Sequence, residues 1–182
     1  MKIASLLLGL TLLSCSTSAY STSILIRTTL GDITVDLFED EAPASVANFM
    51  NYVRADDFRQ SVVHRSVPGF IIQGGGFTIL NDAAGAAVRT QPPVANEFGR
   101  SNLRGTFSYA LQGSNIDSAT SQWFINLGDN SDSLDPQQFT VFGEVTSGMD
   151  VVDAIGALER ANAGGVFAEL PVRDFEPGSS IT

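Results

Sequence analysis

The 182-residue sequence predicts a mainly β domain, an antiparallel barrel or sandwich with two helices. Three observations predict it. Short runs of alternating apolar and polar residues recur along the chain, separated by turns that carry glycine or proline. Only two segments show helical periodicity, and no internal repeat or linker divides the chain. The composition, 43% apolar with 16% charged residues, belongs to a folded globular chain rather than a disordered one.

The first residues stand apart. Lys2, the only lysine, precedes the apolar run from Ile3 to Leu13, which has the length of a signal-peptide core and is too short to span a bilayer. Residues 1–19 are therefore expected to be an export signal, and the protein periplasmic. Two routes of processing stay open. Leu12-Leu13-Ser14-Cys15 has the look of a lipobox, in which residues 1–14 are removed and Cys15 becomes a lipid anchor. The other route is ordinary cleavage after Thr17-Ser18-Ala19. Cys15 is the only cysteine, so no internal disulfide forms on either route.

Ser23 to Leu37 reads as a hairpin: Ile24, Ile26, Thr28 and Leu30 alternate outward, Gly31-Asp32 turns, and Ile33, Val35 and Leu37 alternate back. Pro43 then opens a helix, with the acidic run Glu39-Asp40-Glu41 near its positive end and Val46, Phe49, Met50 and Val53 forming an apolar stripe. Ser61 to Ser66 is the next strand, Pro68-Gly69 a turn, and Ile71 to Gln73 a strand ended by three glycines. Such a run marks a bulge or a close approach of another backbone.

Residues 78–94 read as a long surface loop. Short strands are expected at 96–98, 105–110, 121–126 and 139–145. In the 121–126 strand, Gln122, Phe124 and Asn126 face one way and Ser121, Trp123 and Ile125 the other, which assigns Trp123 to the core and Gln122 and Phe124 to a site. A second helix carries Met149, Val152 and Ile155 and stops near Gly156. A last strand, 171–175, precedes a polar tail at 177–182.

Charge and motifs exclude several functions. With 10 basic against 20 acidic residues, the chain lacks the footprint for nucleic acid or anionic membrane. It has no phosphate-binding loop, dinucleotide fingerprint or serine-nucleophile motif. The acidic run Asp129, Asp132, Asp135 lacks calcium-loop spacing, and a single histidine and cysteine make no zinc site, so no metal and no cofactor is expected.

The segment His64-Arg65-Ser66-Val67-Pro68-Gly69-Phe70-Ile71-Ile72-Gln73-Gly74-Gly75-Gly76-Phe77 resembles the signature of the cyclophilin-type peptidyl-prolyl cis-trans isomerases. Ser118 to Asn126 and Phe139 to Asp150 resemble two further family segments in the same order, and the resemblance spans residues 23–176. It implies a closed eight-stranded antiparallel β-barrel with a helix over each opening. The activity it implies is rotation of X-Pro peptide bonds in exported proteins, which assists their folding.

By the same resemblance Arg65 is the catalytic cation, Gln73 and Gln122 hold the substrate backbone, and Phe70, Ile71, Phe124, Leu134 and Phe139 form the proline pocket. Ala110 and Leu111 supply backbone along the groove. The implied partner is a proline-containing segment of an unfolded or exported protein, bound by a monomer. A second reading keeps the fold as a proline-peptide binding module or holdase with negligible turnover. His64 alternates away from Arg65, and isomerisation needs no base, so it reads as structural. Ser133 stands where many relatives carry an aromatic residue, which implies weak cyclosporin sensitivity.

Overall fold

The structure, a computed structural model, describes residues 21–78 and 85–173. The expected signal at 1–19, Cys15 and the tail at 177–182 lie outside the described residues. Among the described residues no helix is long and apolar enough to cross a membrane.

Strands β1 (Ser23–Thr28) and β2 (Gly31–Leu37) form the expected hairpin, in register from Ser23↔Asp36 to Thr28↔Gly31. The turn is two residues earlier than expected, at Thr29-Leu30. The Thr28 hydroxyl accepts from the Leu30 and Gly31 amides at 3.1 and 3.2 Å and donates to the Gly31 carbonyl at 2.8 Å, closing the loop before Gly31.

Helix α1 (Pro43–Arg54) starts at Pro43 as expected. Its first-turn amides are met from a distance: Glu97 accepts from Ala44 and Ser45 at 3.0 and 2.8 Å, while Glu41 pairs with Arg100. The buried face is Ser45, Val46, Asn48, Phe49 and Tyr52, and Val53 is exposed. Hydrogen bonds explain the rotation. Asn48 Nδ2 donates to Tyr109 Oη at 2.7 Å and to the Thr120 carbonyl at 2.9 Å, and Tyr52 Oη accepts from the Gln91 amide at 2.7 Å.

Seven strands make one antiparallel sheet in the order β1-β2-β7-β5-β6-β4-β3, with β3 (Arg65–Val67), β4 (Ile71–Gly74), β5 (Thr106–Tyr109), β6 (Trp123–Asn126) and β7 (Val141–Ser147). Irregularities at Thr34/Val35 and Phe107/Ser108 break the ladder's register, the kind of feature that bends a strand and raises its twist. A second sheet pairs β8 (Glu159–Ala161) with β9 (Leu170–Val172). The described residues thus hold nine strands in two ladders, and the large ladder ends at β1 and β3 without pairing them to each other.

Several boundaries move. The 61–66 strand reduces to β3, with Ser61 making a lone bridge to Thr78, and residues 96–98 form no strand. The last strand starts one residue earlier than expected, at Leu170, residues 174 and 175 lie outside the described residues, and β8, its partner, has a sequence too polar to announce itself. Helix α3 (Met149–Gly156) matches the second expected helix. A third, α2 (Ser131–Leu134), lies within the acidic run and is not among the expected helices; Asp129 accepts from the Ser131 amide and hydroxyl at 3.1 and 2.6 Å and starts a turn there.

The core sits inside the curl of the sheet. Phe107 lies 4.7 Å from Phe142, 5.1 Å from Trp123 and 5.3 Å from Phe49 between ring centroids, and Tyr109 stacks on Phe142 at 4.3 Å. Val46 and Phe49 of α1 and Val152 and Ile155 of α3 join the same cluster, so both longer helices are held by one apolar mass.

Candidate active site

Strands β3 and β4 meet through a tight turn in which Gly69 takes φ 73° and the Phe70 amide donates to the Val67 carbonyl at 3.0 Å. That turn sets the register Arg65↔Gln73, and β4 pairs with β6 as Gln73↔Phe124. Arg65, Gln73 and Phe124 therefore form one row across three strands on one sheet face. Gln73 Nε2 donates to Gln122 Oε1 at 2.9 Å, tying the two amides together at the edge of this row.

The glycines are what let β4 lie there. A Cβ on Gly74 would meet the Trp123 ring at 2.8 Å, one on Gly75 the Ser121 carbonyl at 2.5 Å, and one on Gly76 the Gln122 side chain at 2.8 Å. The expected close approach is thus to residues 121–123.

Ile71, Phe124 and Leu134 form a buried apolar cluster separate from the main core, with Phe70, Ala110 and Phe139 packed against it. Phe139 meets Phe124 edge-on at 5.6 Å. Of the nine groove residues expected from sequence, these six lie together, and Gln73 and Gln122 stand beside them. The Leu111 side chain packs instead on the main core, leaving only its backbone for a groove. Ala110 is pinned by its amide, which donates to the Gln122 carbonyl at 2.9 Å.

Beneath the cluster runs a set of buried amides that the sequence did not single out. Asn130 Nδ2 donates to the Phe70 carbonyl at 2.8 Å and to Asn126 Oδ1 at 2.7 Å. Asn102 Nδ2 donates to the Phe139 carbonyl at 3.1 Å and to Asp135 at 3.0 Å, and Asn102 Oδ1 accepts from Ser108 Oγ at 2.9 Å. Burial raises the Asp135 carboxyl pKa, but hydrogen bonds from Asn102 more than offset this and hold it below its ordinary value. Asp129 and Asp135 are thus engaged in structure, and among the described residues no three His, Cys, Asp or Glu side chains are grouped to hold a metal.

His64 is buried, with its ring 5.0 Å from Phe77 in edge contact. Burial first, then the neighbouring Arg65 charge, lowers its pKa to about 4, so it is neutral at pH 7. Arg65 lies on the opposite side of the strand, and its Nε donates to Glu169 Oε2 at 2.7 Å. Glu169 went unnoticed in the sequence, where it is one acidic residue among many. A cavity of about 1210 Å³ lies elsewhere, between β1, α1 and the end of β9, and its lining includes Arg27, Arg59 and Arg173 but not Arg65.

A fixed cation beside two linked amides, at the rim of an apolar pocket, is suited to holding a peptide with a ring side chain. Residues 23–176 match the family described as cyclophilin type peptidyl-prolyl cis-trans isomerase. The chain belongs to the cyclophilin family. Among curated cyclophilins it is 45% identical over 150 residues to peptidyl-prolyl cis-trans isomerase A of Dickeya dadantii, covering 79% of this chain and 76% of that protein. It is 40% identical over 170 residues to a peptidyl-prolyl cis-trans isomerase of Acinetobacter baylyi, covering 90% and 87%. A crystal structure of a Cryptosporidium parvum cyclophilin, determined in the presence of the dipeptide Ala-Pro, superposes with a TM-score of 0.67 over 83% of this chain and 92% of that one. At 20% identity it shows the shared fold. The chain is a mainly β cyclophilin and an enzyme of the peptidyl-prolyl isomerase class.

Proposed function

We propose that Arg65 is the catalytic residue of this isomerase and that it acts on proline-containing segments of exported proteins. The observation that carries the reading is the row Arg65, Gln73, Phe124 with Gln122 linked to Gln73, which sets one cation and two amides beside the apolar cluster of Ile71, Phe124 and Leu134.

Rotation about X-Pro is opposed by a barrier of roughly 18–20 kcal/mol, because resonance gives the C–N bond double-bond character. Twisting the bond returns a lone pair to the prolyl nitrogen. A donor that meets this lone pair stabilises the twisted state and not the planar one, which is what lowers the barrier. Arg65 supplies that donor, since guanidinium is charged at every working pH and its N–H groups form a rigid fork. The proline ring enters between Phe70, Ile71, Phe124, Leu134 and Phe139. Gln73 and Gln122, already linked, present amide groups to the backbone on either side. No proton is transferred, in keeping with a neutral His64.

The apolar run before Ser14 supports an extracytoplasmic setting in which isomerisation assists folding, with Cys15 either lipidated or removed. Intact mass of the mature protein separates the two. Ser133, exposed beside Leu134, supports weak inhibition by cyclosporin.

The test is the cis-to-trans rate of a short Ala-Pro peptide with wild type and Arg65→Ala. The expected outcome is strong acceleration by wild type and a loss of about 10²–10³ in kcat/KM in the variant, the scale of removing one charge-stabilising donor. A folded wild type that binds the peptide without accelerating it would leave the binding module or holdase as the function.

A further inference from the structure

We propose that Glu169 is a positioning residue for Arg65, holding the guanidinium by its Nε so that both terminal nitrogens remain free to face the substrate. The inference rests on the role proposed above for Arg65. The contact is a single N–H donated at 2.7 Å between side chains each 37% exposed, and an ion pair that open to water adds little to stability. Its effect is therefore on geometry. Arginine is rich in rotamers, and part of that freedom must be surrendered each time a mobile guanidinium meets the twisted bond. A carboxylate that orders the side chain beforehand removes that part from the catalytic step.

Glu169 can do this because it is itself fixed. Its carbonyl accepts from the Ser66 amide at 2.8 Å, which docks the residue on the sheet edge one position from Arg65. Two residues earlier, Phe167 packs 5.0 Å from Phe77 and 6.5 Å from His64, and its carbonyl accepts from the Ala163 amide at 3.0 Å. One residue later the chain enters β9, which pairs with β8. Residues 163–170 thus form a strap along β3, tied at both ends and in the middle, with one carboxylate aimed at the arginine. The attachment point also matters. A bidentate grip on the terminal nitrogens would occupy the donors that catalysis needs, whereas an Nε contact leaves them available.

The test is a double-mutant cycle. The wild type, Glu169→Ala, Glu169→Gln, Arg65→Ala and the Arg65→Ala/Glu169→Ala pair are assayed on an Ala-Pro peptide, with enough enzyme to measure the residual rate, and each is melted to show that it folds. Glu169→Ala is expected to lower kcat/KM about fivefold to tenfold, mainly through kcat. Glu169→Gln, which keeps an acceptor oxygen, recovers most of that loss. In the Arg65→Ala background, Glu169→Ala changes nothing further. A Glu169→Ala rate equal to wild type overturns the proposal, as does a faster one, which would make the carboxylate a mask on Arg65. An equal loss in both backgrounds also overturns it, since that would mark a purely structural role. If Arg65→Ala keeps the wild-type rate, the reading of Arg65 fails, and that result is distinct from the others.

Discussion

Trp123 and Ile125, on one face of β6, pack in the aromatic core with Phe107, Phe142 and Phe49; Phe124 and Asn126, on the other, rest above linked amides. Both faces are buried, but they are held differently. Cohesion in the core is non-directional and follows buried apolar area. On the site face it depends on particular donors meeting particular carbonyls, those of Phe70 and Phe139 among them. The core should therefore set how stable the protein is, and the amide set should fix where the pocket walls stand.

The sharpest break comes from Phe107→Ala. Phe107 is fully buried among three rings, so the change is expected to cost about 3–5 kcal/mol in a urea titration. Turnover per folded molecule, measured well below the melting point, should stay near wild type. A large loss of turnover in the folded fraction would show that the two faces are not separable.

His64 gives the next largest effect, and it depends on pH. Its folded pKa, about 4, lies below the ordinary 6.5, so the unfolded chain binds more protons between these values. Its contribution is present above pH 6.5 and is lost as pH falls from about 6.5 to about 4, by up to about 3 kcal/mol. Urea midpoints at pH 7 and pH 5 should converge in His64→Gln relative to wild type. An unchanged difference between the two pH values would mean that His64 is not what titrates.

Asn130→Ala should act on the other face. It removes two donated bonds and leaves the buried Asn126 Oδ1 without its Asn130 partner, at a cost of about 1–3 kcal/mol. With Phe70 held only by its backbone bonds to Leu127 and Val67, KM for an Ala-Pro peptide should rise several-fold while kcat falls less. The smallest effect is expected at Asp153→Ala, which removes the ion pair and leaves the bond from Arg104 to the Leu127 carbonyl. The Arg104–Asp153 pair is about half exposed, so its loss should cost below about 1 kcal/mol and leave isomerisation unchanged.

The same contrast explains what could be read from sequence. Alternation along 121–126 separated Trp123 from Phe124 correctly, because a strand's two-residue period is local. The period put Asn126 on the Phe124 face as well. It could not say that Asn126 meets Asn102 across 24 residues, since polar side chains carry no periodic signal until the fold supplies partners. The α1 stripe is right for Val46, Phe49 and Met50 and wrong at Val53 for the same reason: Asn48 and Tyr52 are buried by hydrogen bonds, which apolar spacing does not register. The row Arg65, Gln73, Phe124 came through its resemblance to a family signature, and the turn at Gly69 gives the physical basis for that spacing. Glu169 lies 104 residues from Arg65, and nothing within either segment pointed to the other.

That distance also orders events during synthesis. A hairpin such as β1-β2 can close as soon as residue 37 leaves the ribosome, whereas Thr34 must wait for Ser147 and Arg65 for Glu169. Emerging chain therefore passes through a period in which β3 and β4 can already turn back on each other while the arginine between them is still unheld. This isomerase is in that respect slow to complete its own site: the residue that holds Arg65 is made 104 residues after it.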